Sequence, residues 1–383
     1  MNTRERFEAA YTGRPADRVP VCAWLGMPLL RQLTSHGPRA ILEELVENPL
    51  EMVRIQEDLG LDPVLVTPDE RRFSMHRYPR LLYSWPEEAL ETWQVREEVQ
   101  EDGRNFRTHQ FTATTPEGPV AWSDRRGGGR VAEVEPAVKN ERDLDLCIRY
   151  LPEPESLNQD KLKAMVDAPG DRAFFMHCFM GVWGEAANMR GLVTLACDLI
   201  DQPRFVEKFS EFLRDRAIRR VRRLAATGVH SVLYDQSWVG IGFSPQQFRK
   251  FMYPYDKAVV EAAKEAGFLV SYHNCGCGQA FIEDMADTGA HSLETLTPKT
   301  SSGDFDLAES KRRVGDRITL NGGFNERILP EGKPEEVRDE VKRCIDAAGG
   351  GGRYVLRSTG QIMDSAPGNI QVFAEASREY GRY

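Results

Sequence analysis

Apolar residues fall into short runs separated by stretches with helical spacing, most regularly in the C-terminal half. The runs at 173–178, 231–234, 268–272, 292–296, 318–320 and 354–356 have the length of buried strands. Between them, 191–199, 203–226, 245–266, 279–288, 307–314 and 334–347 carry apolar residues at helical intervals. Earlier, 17–24 and 63–66 read as two further strands, and 39–58 reads as a helix with a break or restart at Pro49. Phe7, Ala10 and Tyr11 share one face of an opening helix, with Thr3 as its N-cap and Gly13 at its end. Strands alternating with helices predict a parallel sheet covered by helices. On pattern alone, a closed barrel and an open doubly wound sheet both satisfy this.

Residues 70–125 break the rhythm. Aromatic and β-branched residues there mix with turn signals such as Glu101-Asp102-Gly103, and 95–98 with 106–112 form the arms of an expected antiparallel hairpin. This reads as a β-rich insertion within one domain spanning 1–383, with Gly127-Gly128-Gly129 as a loop at its end.

Composition narrows the function. The 383 residues are 41% apolar and 28% charged, enough for a sizeable core, and such a length suits a large α/β barrel as one domain. A net charge of −9 argues against a nucleic-acid partner. The arginine-dense stretch 214–223 is expected to be the solvated face of a helix rather than a phosphate-binding patch. Seven cysteines, an odd number, favour free thiol or metal chemistry over disulfides. The polar N-terminus has no signal-peptide pattern, and no apolar run approaches the ~20 residues needed to span a bilayer, so a cytoplasmic protein is expected. There is no dinucleotide-binding glycine fingerprint and no P-loop, and Gly349-Gly350-Gly351-Gly352 reads as a helix-to-strand turn.

The most informative segment is Ser271-Tyr272-His273-Asn274-Cys275-Gly276-Cys277-Gly278, which follows directly on an apolar run. His273 and Cys275 are two apart, so on an extended chain they point the same way. At the C-terminal end of a barrel strand that direction is the mouth, where barrel active sites lie. An imidazole and a thiolate aimed at one point suit zinc, and the neighbouring glycines allow Cys277 to join them. Glu294 interrupts an apolar run, and a carboxylate there needs either a metal or an arginine partner. Asp235 ends the run 231–234 and is a candidate general acid/base or a turn cap. His177 is placed near the same pocket, or else in the core. Trp183, Trp238 and Tyr272 are candidate walls for a flat substrate, or else core aromatics. His291 reads as an exposed strand-start residue.

Several of these segments resemble the uroporphyrinogen decarboxylase-like superfamily. They are Arg4-Glu5-Arg6 with Asp17-Arg18-Val19-Pro20-Val21, Phe243-Ser244-Pro245-Gln246-Gln247-Phe248-Arg249, His273-Asn274-Cys275-Gly276, Asp284-Met285-Ala286-Asp287-Thr288-Gly289-Ala290 and Leu320-Asn321-Gly322-Gly323. The resemblance implies a (β/α)8 TIM-type barrel with an N-terminal helical extension. True decarboxylases of the family carry an Arg-Gln-Ala-Gly-Arg loop after the first strand; here the chain reads Trp24-Leu25-Gly26-Met27-Pro28. The zinc-dependent corrinoid methyltransferase branch carries His-x-Cys and a distant third cysteine. This chain supplies His273 and Cys275, but Thr359 stands where the third cysteine is expected. By the resemblance, either Cys277 or Glu294 takes its place in a zinc set drawn from His273, Cys275, Cys277 and Glu294, or no zinc binds; the strand-end placements add Asp235 and His177 to Glu294 as catalytic groups. The implied activity is methyl transfer between a small methylated donor, such as an aryl methyl ether, and a corrinoid (cobalamin) carried by a partner protein. The alternatives are a metal-free decarboxylase or lyase and a non-catalytic binding protein. A homodimer is compatible with either enzyme.

Overall fold

The computed structural model describes residues 1–34, 46–67, 82–84, 87–101, 105–127, 130–152, 156–237, 239, 244–366 and 368–383. Eight parallel strands form the central sheet: β1 (Val21–Leu25), β2 (Val64–Thr67), β3 (Phe174–Met180), β4 (Ser231–Asp235), β5 (Leu269–Asn274), β6 (Ser292–Thr295), β7 (Thr319–Gly322) and β8 (Tyr354–Ile362). Their order is β1-β8-β7-β6-β5-β4-β3-β2, the sequence of a barrel with one seam between β1 and β2. At the base of that seam Asp62 replaces the missing ladder. Its backbone N–H donates to the Val21 carbonyl (2.8 Å) and its carboxylate accepts from the Val21 N–H (2.9 Å). Asp62 is buried and also takes Arg6 and Arg18, so the charge that closes the seam is compensated.

The opening helix α1 (Thr3–Thr12) plugs the N-terminal end of the barrel. Asn2, not Thr3, caps it, because Asn2 forms a capping box with Glu5. Phe7 stacks on Phe174 with ring centres 4.9 Å apart, and Tyr11 lies beside them. These rings pack with Cys22, Met176, Cys178, Leu233 and Val355 as a separate apolar cluster inside the strands. Burying each ring contributes roughly 2–3 kcal/mol. Parity then fixes the rest. Phe174, Met176 and Cys178 of β3 face inward, so Phe175, His177 and Phe179 face the helix layer.

The insertion is a four-stranded antiparallel sheet of Gln94–Glu101, Phe106–Thr115, Gly118–Gly127 and Arg130–Glu135. It runs past the expected boundary at 125, and Gly127 ends a strand rather than opening a loop; Gly128 and Gly129 lie outside the described residues. The single helix expected over 245–266 is two, Pro245–Phe251 and Tyr253–Glu265, with Pro254 at the start of the second. The arginine stretch lies on helix Pro203–Leu224, but it is not simply a solvated face. Arg220 is buried against Glu185 (2.8 Å), and Arg216 is buried on the carbonyls of Leu151 and Pro152. No helix of the described residues is long and apolar enough to cross a membrane.

Candidate active site at the barrel mouth

Strand register builds the site. Asp235 of β4 pairs with His273 of β5, His273 with Glu294 of β6, and Glu294 with Asn321 of β7. All four lie on the inward parity, so they form one polar layer above the apolar cluster around Leu233. Gly322 is required here. Its φ is +132°, and a Cβ would stand 1.8 Å from the Thr295 carbonyl oxygen of β6.

Glu294 is fully buried and fully engaged. His273 Nδ1 is 2.9 Å from its Oε1, while Ser271 Oγ (3.3 Å), Asn321 Nδ2 (3.1 Å) and Arg357 all donate to Oε2. Burial alone pushes this carboxyl up, but Arg357 and His273 outweigh it and hold it below its ordinary value. Burial likewise works against a charged His273, yet Asp235, Cys275 and Glu294 together raise it well above the usual imidazole range. For Cys275, burial raises the thiol, but the hydrogen bond and charge of His273, joined by Ser237, together outweigh it and lower it. Ser237 Oγ lies 3.3 Å from Cys275 Sγ and donates to Asp235 Oδ1. Asp235 Oδ1 stands 4.0 Å from His273 Nε2. The result is an imidazole–thiol pair at the end of β5, with a carboxylate on either side.

The expected zinc set of His273, Cys275, Cys277 and Glu294 is not assembled as such. Glu294 is consumed by its four donors, one of them the arginine that was its alternative partner. Cys277 is half-buried and meets the neighbourhood through its backbone, whose carbonyl accepts from Asn274 Nδ2 (3.2 Å). Among the described residues, no three His, Cys, Asp or Glu side chains gather closely enough to hold a metal ion. Thr359, at the third-cysteine position, donates to Glu326 instead (2.7 Å).

Other expected residues lie elsewhere. His177 faces away from the lumen, its Nδ1 2.7 Å from Thr67 Oγ1. Tyr272 also faces outward, donating to Asp256 (2.7 Å), and Trp183 is buried in the main core; neither walls the lumen. Trp238 lies outside the described residues. His291 is half-buried, accepting from the Val270 N–H (3.0 Å), and burial lowers it to about 4. Sequence reasoning missed Trp24, whose ring meets His273 edge-on at 6.0 Å and lies under the Arg357 guanidinium at 5.0 Å. It missed Arg357 too. The available signal was a charge inside the apolar strand Tyr354-Val355-Leu356-Arg357, the same signal that singled out Glu294.

Comparison with known proteins agrees with this architecture. The family model described as uroporphyrinogen decarboxylase (URO-D) matches residues 158–380. The chain is 28% identical over 187 residues to a uroporphyrinogen decarboxylase of Psychromonas ingrahamii, covering 46% of this chain and 49% of that protein. It is 25% identical over 202 residues to the enzyme of Methylococcus capsulatus, covering 51% and 55%. The chain thus spans about half the length of the curated relatives it matches. A methyltransferase from Methanosarcina mazei superposes with a TM-score of 0.64 at 16% identity, covering 99% of both chains, which speaks for the fold. On the family model's match and the barrel it accompanies, the chain belongs to the uroporphyrinogen decarboxylase (URO-D) family.

Proposed function

We propose that this protein is a methyltransferase that moves a methyl group between a small methylated substrate, such as an aryl methyl ether, and a corrinoid carried by a partner protein. Zinc would be held by His273 and Cys275. The observation that carries this reading is the imidazole–thiol pair at the end of β5, with Glu294 on the far ring nitrogen of His273. A carboxylate on one imidazole nitrogen is the usual support for a histidine that ligates metal through the other. Two donors suit a zinc ion, His273 Nε2 and the Cys275 sulfur, with Glu294 as the outer support rather than a ligand; the remaining positions would fall to substrate or solvent. When bound, such an ion acts as a Lewis acid on an ether oxygen or activates a substrate thiol.

The chain's own residues have definite tasks in this reading. Glu294 accepts from His273 Nδ1–H and so fixes the tautomer and ring orientation. Arg357 keeps Glu294 ionised although that carboxylate is fully buried. His273 and Ser237 draw Cys275 towards the thiolate. Asp235 takes both Ser237 donors on Oδ1, which leaves Oδ2 available among the described residues to hold a proton released by substrate. His273→Ala and Cys275→Ala are each expected to lower corrinoid-dependent methyl transfer by at least ~100-fold, the scale seen when a metal-site group is lost. Full activity in both variants would remove the proposal.

The names of the curated relatives favour a second reading, a metal-free decarboxylase with Asp235 as acid/base. Against it, Trp24 occupies the start of the segment where the arginine clamp for substrate carboxylates is expected. Release of CO2 from uroporphyrinogen by the purified protein would favour it.

A further inference from the structure

The ladder of strands is interrupted between β1 and β2, and above the Asp62 stitch a cavity of about 50 Å³ lies in that gap. Its wall is mostly apolar, including Phe7, Val64, Val66 and Met176. Arg357 is the charged exception. This residue is only 5% exposed, yet a guanidinium has five N–H donors, and among the described residues its hydrogen bond is the one from NH1 to Glu294. The guanidinium thus has donors to spare, and the cavity that Arg357 lines is where an acceptor can meet them. Trp24 connects the two places, with its face under Arg357 and its edge towards His273. A group in the cavity is therefore one aromatic ring away from the imidazole–thiol pair.

Charge decides what kind of acceptor fits. Glu294 already neutralises Arg357, so a second carboxylate on the same guanidinium would lose its hydration and lie beside a like charge. An uncharged oxygen incurs neither cost. Size sets the other limit. Since roughly 10–15 Å³ of such space holds one water, the cavity of about 50 Å³ admits about three to five non-hydrogen atoms. We infer that the β1–β2 seam cavity is a binding pocket for a compact, uncharged, mainly apolar group with one acceptor oxygen, held by Arg357. Resting on the methyl-transfer reading, this is the pocket for a non-reacting part of the substrate.

The test is a ligand-detected NMR titration of the full chain with acetone, isopropanol and acetate, which share size and shape but differ in charge. Acetone and isopropanol are expected to bind in the millimolar range, with acetate at least about tenfold weaker. Val66→Phe, which fills the cavity from the β2 side and leaves Arg357 itself in place, is expected to abolish acetone binding, and Arg357→Lys to weaken it about tenfold. Acetate binding as tightly as acetone, no binding of any probe, or binding unchanged in Val66→Phe would each overturn the inference. The unsubstituted chain alone decides the charge question if a variant fails to fold. A chain that binds acetone but transfers no methyl group would retire only the methyl-transfer reading. One that transfers methyl groups but ignores acetone and isopropanol would retire only the pocket.

Discussion

The two faces of the same strands each bury a carboxylate, and the two are held in opposite ways. Inside the barrel, Glu294 is met by Arg357 and His273, and stays below its ordinary value. On the outer face, Asp256 of helix Tyr253–Glu265 is equally buried but meets Tyr234 (2.8 Å), Tyr272 (2.7 Å) and Gln236, which are all uncharged. Burial therefore dominates, and pushes Asp256 up to about 7 despite those donors. Adjacent positions on β5, Tyr272 and His273, point to these two environments. Burial alone does not make a reactive centre; the presence of compensating cations separates an ionised, addressable layer from a structural one.

That contrast can be broken by substitution. Arg357→Met leaves Glu294 buried without its main cation, so a loss of about 3–5 kcal/mol is expected in urea unfolding. A loss below about 1 kcal/mol would mean that Glu294 does not depend on Arg357. Asp256 gives the next effect through pH. Below about 3.8 it is protonated in both folded and unfolded chains; between there and about 7 the folded chain holds a proton that the unfolded chain releases. Its contribution to stability is thus fully present at low pH and is lost as pH rises through about 7. His230 and His291, which burial lowers to about 4, change stability in the opposite sense over the same window. The informative quantity is therefore the difference between wild type and Asp256→Asn. The variant is expected to gain stability relative to wild type from pH 4 to 7, by a few kcal/mol on the order-of-magnitude scale of such shifts. A flat difference would contradict the assignment. Tyr272→Phe removes one donor to Asp256 and is expected to cost about 1 kcal/mol, the smallest change of the set.

The strands were legible because parallel sheets buried on both faces leave continuous apolar runs. The same property hid the facing of individual residues. In β3 and β5, every position is mainly apolar or buried, so nothing in the sequence said that His177 and Tyr272 point to the helices while His273 points to the lumen. Register decided it. Closure was legible only through family resemblance, since periodicity cannot tell a seam from an edge. Glu294 was legible as a costly carboxylate inside an apolar run, and Asp235 by its place at the end of one. Arg357 was not, because the apolar run itself ends at Leu356, whereas β8 continues to Ile362 and carries Arg357 into the layer. The aromatic Trp24 lay beyond reach, since its neighbours come from β5 and β8, far away in sequence.

The central claim is that His273 and Cys275 act together on one metal ion. Elemental analysis of protein purified without chelators tests it most directly, with His273→Ala and Cys275→Ala prepared in parallel. The account predicts about one zinc per chain in the wild type and its loss in both variants, as expected when a ligand is removed. A metal-free wild type, or zinc retained in full by both variants, would contradict it.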